Sequence, residues 1–574
     1  MRDDLPPELF DMGIPEGEEP PHDGDLSFTQ PENIVPLGHD RGIYYYLSRA
    51  TGQVEAIPAA SHTRAMLSHL ASEANFWQHS VFWRDKKGVD WDAAADHYRT
   101  ECRKVGIFDP ERLRGRGVWI DEGRVVLHVG DGLVVGGSKG PLDLSGSRYV
   151  YEHARRLDVR IGVSCTTLEA KRFLDLCCAA PWEAPAHMGR LLAGWCVIAM
   201  VCGALPWRPH LWLTSEAGSG KSWVLDHIIK PIVGALALKV QSKTTEAGIR
   251  QALGADSLPV LFDEAETQND RDRERIQLVL DLARQASTED GAQIVKGTAR
   301  GAAQYFRIRS CFCFFSVNMA MHQAADQSRT VVLALKPSDD LEKRLEDFNK
   351  LKAILADVMT PDLPPNLLAR TLKLLPAIRQ NSEIFANAIA RSGATRRVGD
   401  TYGVLLAGAW SLRSSNVASA AEADAFVAGQ DWVKEAFSEM KSAESEWQTA
   451  LMIAMRHSER VTNTNGKNED IPIGELVQVV VTGRSEMGSI NPTDASMALR
   501  RMGLKVGEYQ DSKVLFVANR AVVLDKVFAT TQWGACWLRT LSRVPGAIRN
   551  AAIHRLPTPT KCMALPIETI IGPD

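Results

Sequence analysis

The chain has 574 residues, 45% hydrophobic and 24% charged, with a formal net charge of −4. That length holds about two to four domains, and that composition belongs to soluble globular chains. A net negative charge excludes attraction to nucleic acid through a global field, so any such binding must use local patches. The ten cysteines include no CxxC pair and no companion histidine cluster, which argues against zinc and fits buried thiols in a reducing cytoplasm.

Residues 1 to 33 open the chain as an acidic, Pro- and Gly-rich tail, expected to be disordered and unlike a secretory signal; residues 1 to 25 hold nine acids and one arginine, so the remainder is slightly basic. Residues 34 to 164 read as an α+β module. It has a hairpin over 42 to 57, a helical stretch, and a second hairpin-like unit over 117 to 137. Tyr44, Tyr45 and Tyr46 read as a strand with one buried face, with stacking on bases as the alternative. The run LLAGWCVIAMVCGALPW, residues 191 to 207, sits at the bottom of the length range for a membrane span. It leads straight into the next strand, so a buried helix is expected and no membrane partner.

Residues 211 to 222, LWLTSEAGSGKS, carry the most chemistry. An apolar strand enters a glycine-rich turn ending in Gly220-Lys221-Ser222, and a helical run follows at once. Glycines let backbone N–H groups close around phosphate oxygens, and the helix N-terminus presents its positive end to them. Ser215, Ala217, Gly218, Ser219, Gly220, Lys221 and Ser222 are the candidate nucleotide-binding residues. Ser215 departs from GxxxxGK[ST], which wants glycine first. Later the strand LPVLF ends in Asp263-Glu264. Ser222 and Asp263 suit Mg²⁺, and Glu264 suits polarisation of an attacking water. ATP, or another nucleoside triphosphate, with Mg²⁺ is the implied ligand pair.

The strand expected at 236 to 241 and the helices at 244 to 253 and 272 to 287 follow the βαβ logic of a parallel sheet. Residues 291 to 310 read as two strands around a small turn, a hairpin carrying Lys296 and Arg300. The apolar strand CFCFFSVN ends in Asn318. SRTVVLAL forms another strand with Arg329 near its start. Residues 346 to 445 are helical, 446 to 530 read as three helices and a β-hairpin, and 531 to 574 as a basic C-terminal segment. Helix-helix-helix-hairpin is the order of a winged helix. Its third helix carries Arg500 and Arg501, and its hairpin carries Lys505.

The segments SEAGSGKS, VLFDEAE, KGTARG, RIRSCFCFFSVN and DQSRTVVLAL together resemble the helicase portion of primase-helicase proteins from phages and other mobile elements. These are AAA+ ATPases related to the superfamily 3 replicative helicases. The resemblance covers residues 165 to 345 in detail. It implies an α/β P-loop NTPase core with a parallel sheet over 165 to 345, a helical lid over 346 to 445 and a C-terminal winged helix. Lys221 and Ser222 would meet nucleotide and Mg²⁺, Asp263 the metal, and Glu264 would be the base. Asn318 would be the first sensor of the γ-phosphate, Arg329 a finger reaching a neighbour's nucleotide, and Lys296 the contact on a DNA-tracking hairpin. Arg370 is a candidate second sensor.

No primase-like carboxylate cluster precedes the core, so a separate primase partner is expected. Other readings stay open: a solvated charge for Lys296, a pair with Asp326 or another acid of the same subunit for Arg329, a strand-end cap for Asn318, and structural ion pairs for Arg307 and Arg309. The implied activity is an ATP-dependent DNA helicase, cytoplasmic, assembling as a hexameric ring and moving on single-stranded DNA. Its C-terminal domain would hold duplex or origin DNA. The rivals are a helicase loader or initiator without unwinding, and an ATP-gated switch or defence ATPase that does not act on DNA.

Overall fold

The structure is a computed structural model of the chain. It describes residues 33–71, 75–216, 218–241, 243–265, 269–289, 294–297, 303–317, 319, 321, 323–428, 446–462, 466, 468–484, 490–531, 533–534, 536–556 and 558–571. The acidic tail lies outside these. The chain divides into two compact units. The first takes residues up to Arg116 together with His128–Arg156. The second takes Gly117–Leu127 and everything from Leu157 on, so one hairpin of the expected N-terminal module belongs to the other unit.

In the first unit, strands Ile34–Asp40, Ile43–Ser48 and Gln53–Pro58 form an antiparallel sheet. Helices Arg64–Leu70 and Trp91–Val105 cover it around Tyr46, Trp77, Phe82 and Tyr98. Tyr44, Tyr45 and Tyr46 are all buried. The Tyr46 hydroxyl donates to His62 Nε2 at 2.9 Å, while His62 Nδ1 donates to Pro58 O. These rings are core, which removes base stacking.

The second unit is an α/β fold built on five strands. They are β1 (His210–Ser215), β2 (Leu238–Gln241), β3 (Val260–Asp263), β4 (Phe312–Ser316) and β5 (Thr330–Leu335), all parallel, in the order β2-β3-β4-β1-β5. A parallel sheet is covered on both faces, so its central strands are apolar throughout. All five residues of β4 are buried. Trp212 of β1 stacks on Phe314 of β4 at 5.1 Å, and its indole N–H donates to Ser316 Oγ at 2.8 Å. Cys311 and Cys313 are buried among these rings.

Around the sheet lie α1 (Thr167–Cys178), α2 (Pro185–Ala199), α3, α4 (Glu246–Leu253), α5 (Asp270–Ala286), α6 (Leu341–Val358), α7 (Leu363–Arg391) and α8 (Arg396–Ser411). Helix α3 runs through Lys221–Val224, a π-type turn Leu225–Ile229, and Lys230–Val233. Pro231 lacks the donor that a regular turn would use there. The apolar run at 191 to 207 begins as α2 and is buried from Leu191 to Cys202, while Pro206 is exposed. A Cβ on Gly194 would lie 2.1 Å from Leu405 O, and one on Gly408 2.4 Å from Gly194 O, so α2 and α8 touch backbone to backbone. Among the described residues no helix is long and apolar enough to cross a membrane. The lid boundary expected at 346 falls inside α6.

The C-terminal part has α9 (Glu446–Arg456), α10 (Ile473–Thr482), α11 (Pro492–Arg501) and an antiparallel sheet. Its strands are β6 (Leu504–Tyr509), β7 (Ser512–Ala518), β8 (Ile548–Arg555) and β9 (Pro559–Pro566), in the order β6-β7-β9-β8. Where a polar loop was expected between the first two helices, strands Ser458–Thr462 and Asn468–Pro472 pair, with Val461 and Ile471 turned into the core. One core includes Leu476, Leu499, Leu515, Trp537 and Leu565, crossing the boundary expected at 530. The basic segment therefore completes this sheet rather than standing apart.

His210 joins three elements at the start of β1. Its Nε2–H donates to Ala283 O at 2.7 Å, at the end of α5, and its Nδ1 accepts from Phe312 N at 3.0 Å, on β4. The second bond needs the neutral ring, because a protonated Nδ1 cannot accept. Burial pushes its pKa down to about 3. The unfolded chain takes up that proton near the usual histidine value, so this contribution is complete above about pH 6.5 and is lost as pH falls toward 3, with a slope of up to about 1.4 kcal/mol per pH unit. We expect His210→Gln to be less stable at pH 7 and to show a shallower loss between pH 6.5 and 4, read by denaturation under tryptophan fluorescence. Parallel pH profiles would remove His210 from the acid response.

Candidate functional site

Parallel strands place their functional groups at their C-terminal ends, where the chain turns into helices. Ser215 ends β1, buried, with its Oγ donating to Glu216 O at 3.0 Å. The strand is still extended there, so the position does not need a glycine. Gly218 and Gly220 have φ of +77° and +97°, and a Cβ on either would meet nothing within 4 Å. Backbone conformation, not crowding, therefore requires glycine. Gly220 is the N-cap of α3 and Lys221 its first residue. Lys221 is half-buried, Ser222 exposed and Ser219 buried; Ala217 lies outside the described residues.

Register brings β3 level with this loop. Phe262 pairs with Phe314, and Phe314 with Trp212. Asp263 therefore stands level with Leu213, two strand spacings or roughly 10 Å to the side. Its Oδ1 accepts from Glu264 N at 3.0 Å. Glu264 is exposed and has a φ of +56°, uncommon for a residue other than glycine. A strained backbone concentrates at functional positions, because the surrounding fold must hold it. Two carboxylates thus end β3 at the same edge of the sheet as the glycine loop.

Beside the loop is a cavity of about 590 Å³, walled mostly by Ala180, Trp223, Leu341, Phe348, Leu351 and Ile354. Trp223 packs edge-on to Phe348 at 5.6 Å and stacks on His227 at 4.8 Å. Arg344 of α6 donates to Gly218 O at 2.8 Å. A flat apolar ligand part fits such a space, with charged groups reaching the loop. Open left-handed glycines, a cation at the first helical residue, a hydroxyl next to it and a strand-end carboxylate fit a nucleoside triphosphate with Mg²⁺. Ser222 and Asp263 are the residues that would hold the metal. Arg344, Trp223 and Phe348 were missed in the sequence: Trp223 follows Ser222 and reads as an ordinary apolar helix residue, Arg344 and Phe348 sit on a helix without motif, and only packing brings α6 over the loop.

Arg329 lies at the opposite edge of the sheet. Its carbonyl accepts from His210 N, and its Nη1 donates to Ala325 O at 2.7 Å. Asp326 does not pair with it; that carboxylate meets Arg284 at 3.3 Å and Gln277 at 2.9 Å. Arg309 bonds Glu289 at 3.0 Å, and Arg307 donates to Glu289 O, so both serve structural contacts. Arg370 is buried, with its donors on Ser411 O, Cys165 O, Thr167 Oγ1 and Ser415 Oγ. A guanidinium so occupied has no reach to a phosphate, which corrects the second-sensor expectation. Asn318 and Arg300 lie outside the described residues. Lys296 is on strand Ile294–Gly297, paired with Ala303–Phe306.

Arg500 and Arg501 are exposed in the last turn of α11. Recognition helices read bases with their N-terminal residues, so this end suits contact with backbone phosphates instead. Lys505 Nζ donates to His554 Nδ1 at 3.3 Å. Burial first, then the charges of Lys505 and Arg500, lower the His554 pKa.

No protein-family model matches the chain, and no curated protein matches it. Among solved structures, the A form apo structure of the NrS-1 C-terminal region matches 62% of this chain and 96% of its own, at 10% identity and a TM-score of 0.24. At that score the likeness carries no argument.

The loop geometry has a direct test. Gly220→Ala should cost on the order of 1–2 kcal/mol locally, because an L-residue is strained at positive φ. We expect affinity for a fluorescent ATP analogue to fall at least about 10-fold, the equivalent of 1.4 kcal/mol, with the fold intact by circular dichroism. Unchanged affinity would mean that the loop does not hold phosphate.

Proposed function

We propose that the second unit hydrolyses ATP and drives a phage or mobile-element DNA helicase that assembles as a ring, hexameric by family resemblance, on single-stranded DNA. The observation that carries this reading is the glycine loop and Asp263-Glu264 meeting at one edge of an all-parallel sheet, beside an apolar cavity. The helicase assignment rests on the sequence resemblance around that core.

Lys221 and the loop N–H groups hold the phosphates, and the cavity takes the base. Bound Mg²⁺ on Ser222 and Asp263 supplies neutralisation of phosphate charge. Glu264 is exposed to solvent at the turn, so it can orient a water and accept its proton. Asn318 reads the terminal phosphate. Helices α6 to α8 form the lid. The hairpin carrying Lys296 and Arg300 follows backbone phosphates in the pore. The three C-terminal helices and β6-β7 form a winged helix, widened by β8-β9, and Arg500, Arg501 and Lys505 meet DNA phosphates. Such contacts give salt-dependent, sequence-blind affinity, which suits a motor. A separate primase would complete the replication machinery.

Glu264→Gln should bind ATP at wild-type affinity and hydrolyse it about 10²- to 10⁴-fold more slowly, the usual cost of losing one positioned base. Lys221→Ala should lose ATP binding while keeping its fold. Hydrolysis at the wild-type rate by Glu264→Gln would remove its role. Lys296→Ala should keep basal hydrolysis and lose both stimulation by single-stranded DNA and unwinding. Unwinding that survives this change would refute translocation by the hairpin, and wild-type protein that hydrolyses ATP without unwinding would point to a loader or initiator.

A further inference from the structure

The first unit carries one aromatic side chain that its core does not use. A short antiparallel hairpin, strands Trp83–Arg84 and Gly88–Val89, stands just ahead of helix Trp91–Val105. Successive residues of a strand point to opposite sides. Phe82 turns inward and is buried, its ring 5.3 Å from His97 and 6.2 Å from Tyr98. Val81 and Trp83 therefore turn outward, 49% and 40% exposed. Among the described side chains, no other phenylalanine, tyrosine or tryptophan is exposed.

The foot of this hairpin is fixed. Phe82 O accepts from Asp90 N at 2.8 Å, and Asp90 in turn caps the helix by accepting from Ala93 N at 3.1 Å. The tip is a turn closed by Lys87 N donating to Arg84 O at 3.1 Å, with Lys86 at a φ of +66°. Glycine is the usual residue in that conformation, so the turn holds a lysine at a cost in backbone strain. Residues 84 to 87, Arg-Asp-Lys-Lys, place three cations and one acid there. Arg84 Nη1 donates to Val81 O at 2.8 Å and its Nη2 lies 3.7 Å from Asp90, which keeps it beside the strand. Lys86 and Lys87 are exposed and form no ion pair among the described residues.

A flat ring held on a fixed strand, with solvated cations next to it, matches the two parts of an unpaired nucleotide: the ring takes the base and the cations take the phosphates. Bases inside a duplex keep their faces in the stack, so such a platform selects single strands. Two outward apolar side chains bury too little area to hold the unit on a bilayer. We infer that the hairpin over 81 to 89 binds single-stranded nucleic acid, with Trp83 stacked on a base and Lys86 and Lys87 on the adjoining phosphates. The site lies wholly within the first unit and uses neither the glycine loop nor ATP.

The test uses the full chain without nucleotide. An oligodeoxythymidine carrying 5-iododeoxyuridine should photocross-link to Trp83 in the wild type, and Trp83→Ala should lose that link. Affinity read by fluorescence anisotropy should fall about 10-fold in Trp83→Ala, within the usual loss for one stacked base, at an unchanged melting temperature. Trp83→Phe should recover part of it. Lys86→Ala together with Lys87→Ala should flatten the dependence of log affinity on log salt by about 1.4, roughly 0.7 for each phosphate contact. Parallel oligodeoxythymidine and oligouridine arms tell DNA from RNA, and a loss of either in Trp83→Ala supports the site. Cross-links confined to other residues, unchanged affinity in Trp83→Ala, equal affinity for a duplex, or anionic vesicles bound through Trp83 in place of the oligonucleotide would each overturn it. Lys221→Ala should lose ATP binding and keep the Trp83 cross-link, so the nucleotide reading and this one fail separately.

Discussion

The alignment of β1 with β4 and β5 is the constraint on which the rest of the second unit depends. A parallel sheet has no hairpins to set its register, so something else must. Here a buried, neutral imidazole does it at one end: His210 holds the end of α5 and the start of β4 while its own N–H bonds Arg329 O ahead of β5. Further along, the Trp212 indole bonds Ser316 and its ring stacks on Phe314. Shift β1 by one residue and each of these contacts is lost, together with the level at which Ser215 and Asp263 end their strands.

That register separates two chemistries by the length of a strand. The C-terminal edge gathers open glycine backbone, Lys221, Ser222 and two carboxylates. The N-terminal edge gathers arginines. Some of these, such as Arg208 and Arg309 on Glu289, are tied into pairs. Arg329 is held instead by its bond to Ala325 O. Helix α6 adds a link, because Arg344 ties the lid directly to the loop carbonyl of Gly218. Movement of the lid and occupation of the loop would then be coupled through one hydrogen bond.

The C-terminal sheet uses its cations differently. Lys505 is half-buried against Phe516 and His554, while Arg500 and Arg501 project from a helix end. The arginines are exposed at a helix C-terminus, whereas the lysine is held at the sheet by an imidazole. In the first unit, by contrast, most aromatic residues are spent on the core, and Tyr44 to Tyr46 have no face left for a ligand.

Local pattern was enough for much of this. The strand-loop-helix order around Lys221 is legible because left-handed glycines and a helix N-terminus are short-range requirements. The same holds for Asp263-Glu264 at the end of an apolar strand, and for α2, whose unbroken apolar run needed only burial on all sides. What the sequence could not state was adjacency across distance. The roles of Arg344 and Phe348 depend on how α6 packs over the loop, and nothing near them in the chain marks it. The fate of Arg370 turned on carbonyls of α8 and the segment before α1, some forty and two hundred residues away. The break expected at 530 failed because strand pairing between β7 and β9 is a tertiary event that composition does not record. Sequence determined which residues carry chemistry; tertiary structure decided which of them share an edge, because register and helix packing are set by the whole core rather than by any one segment.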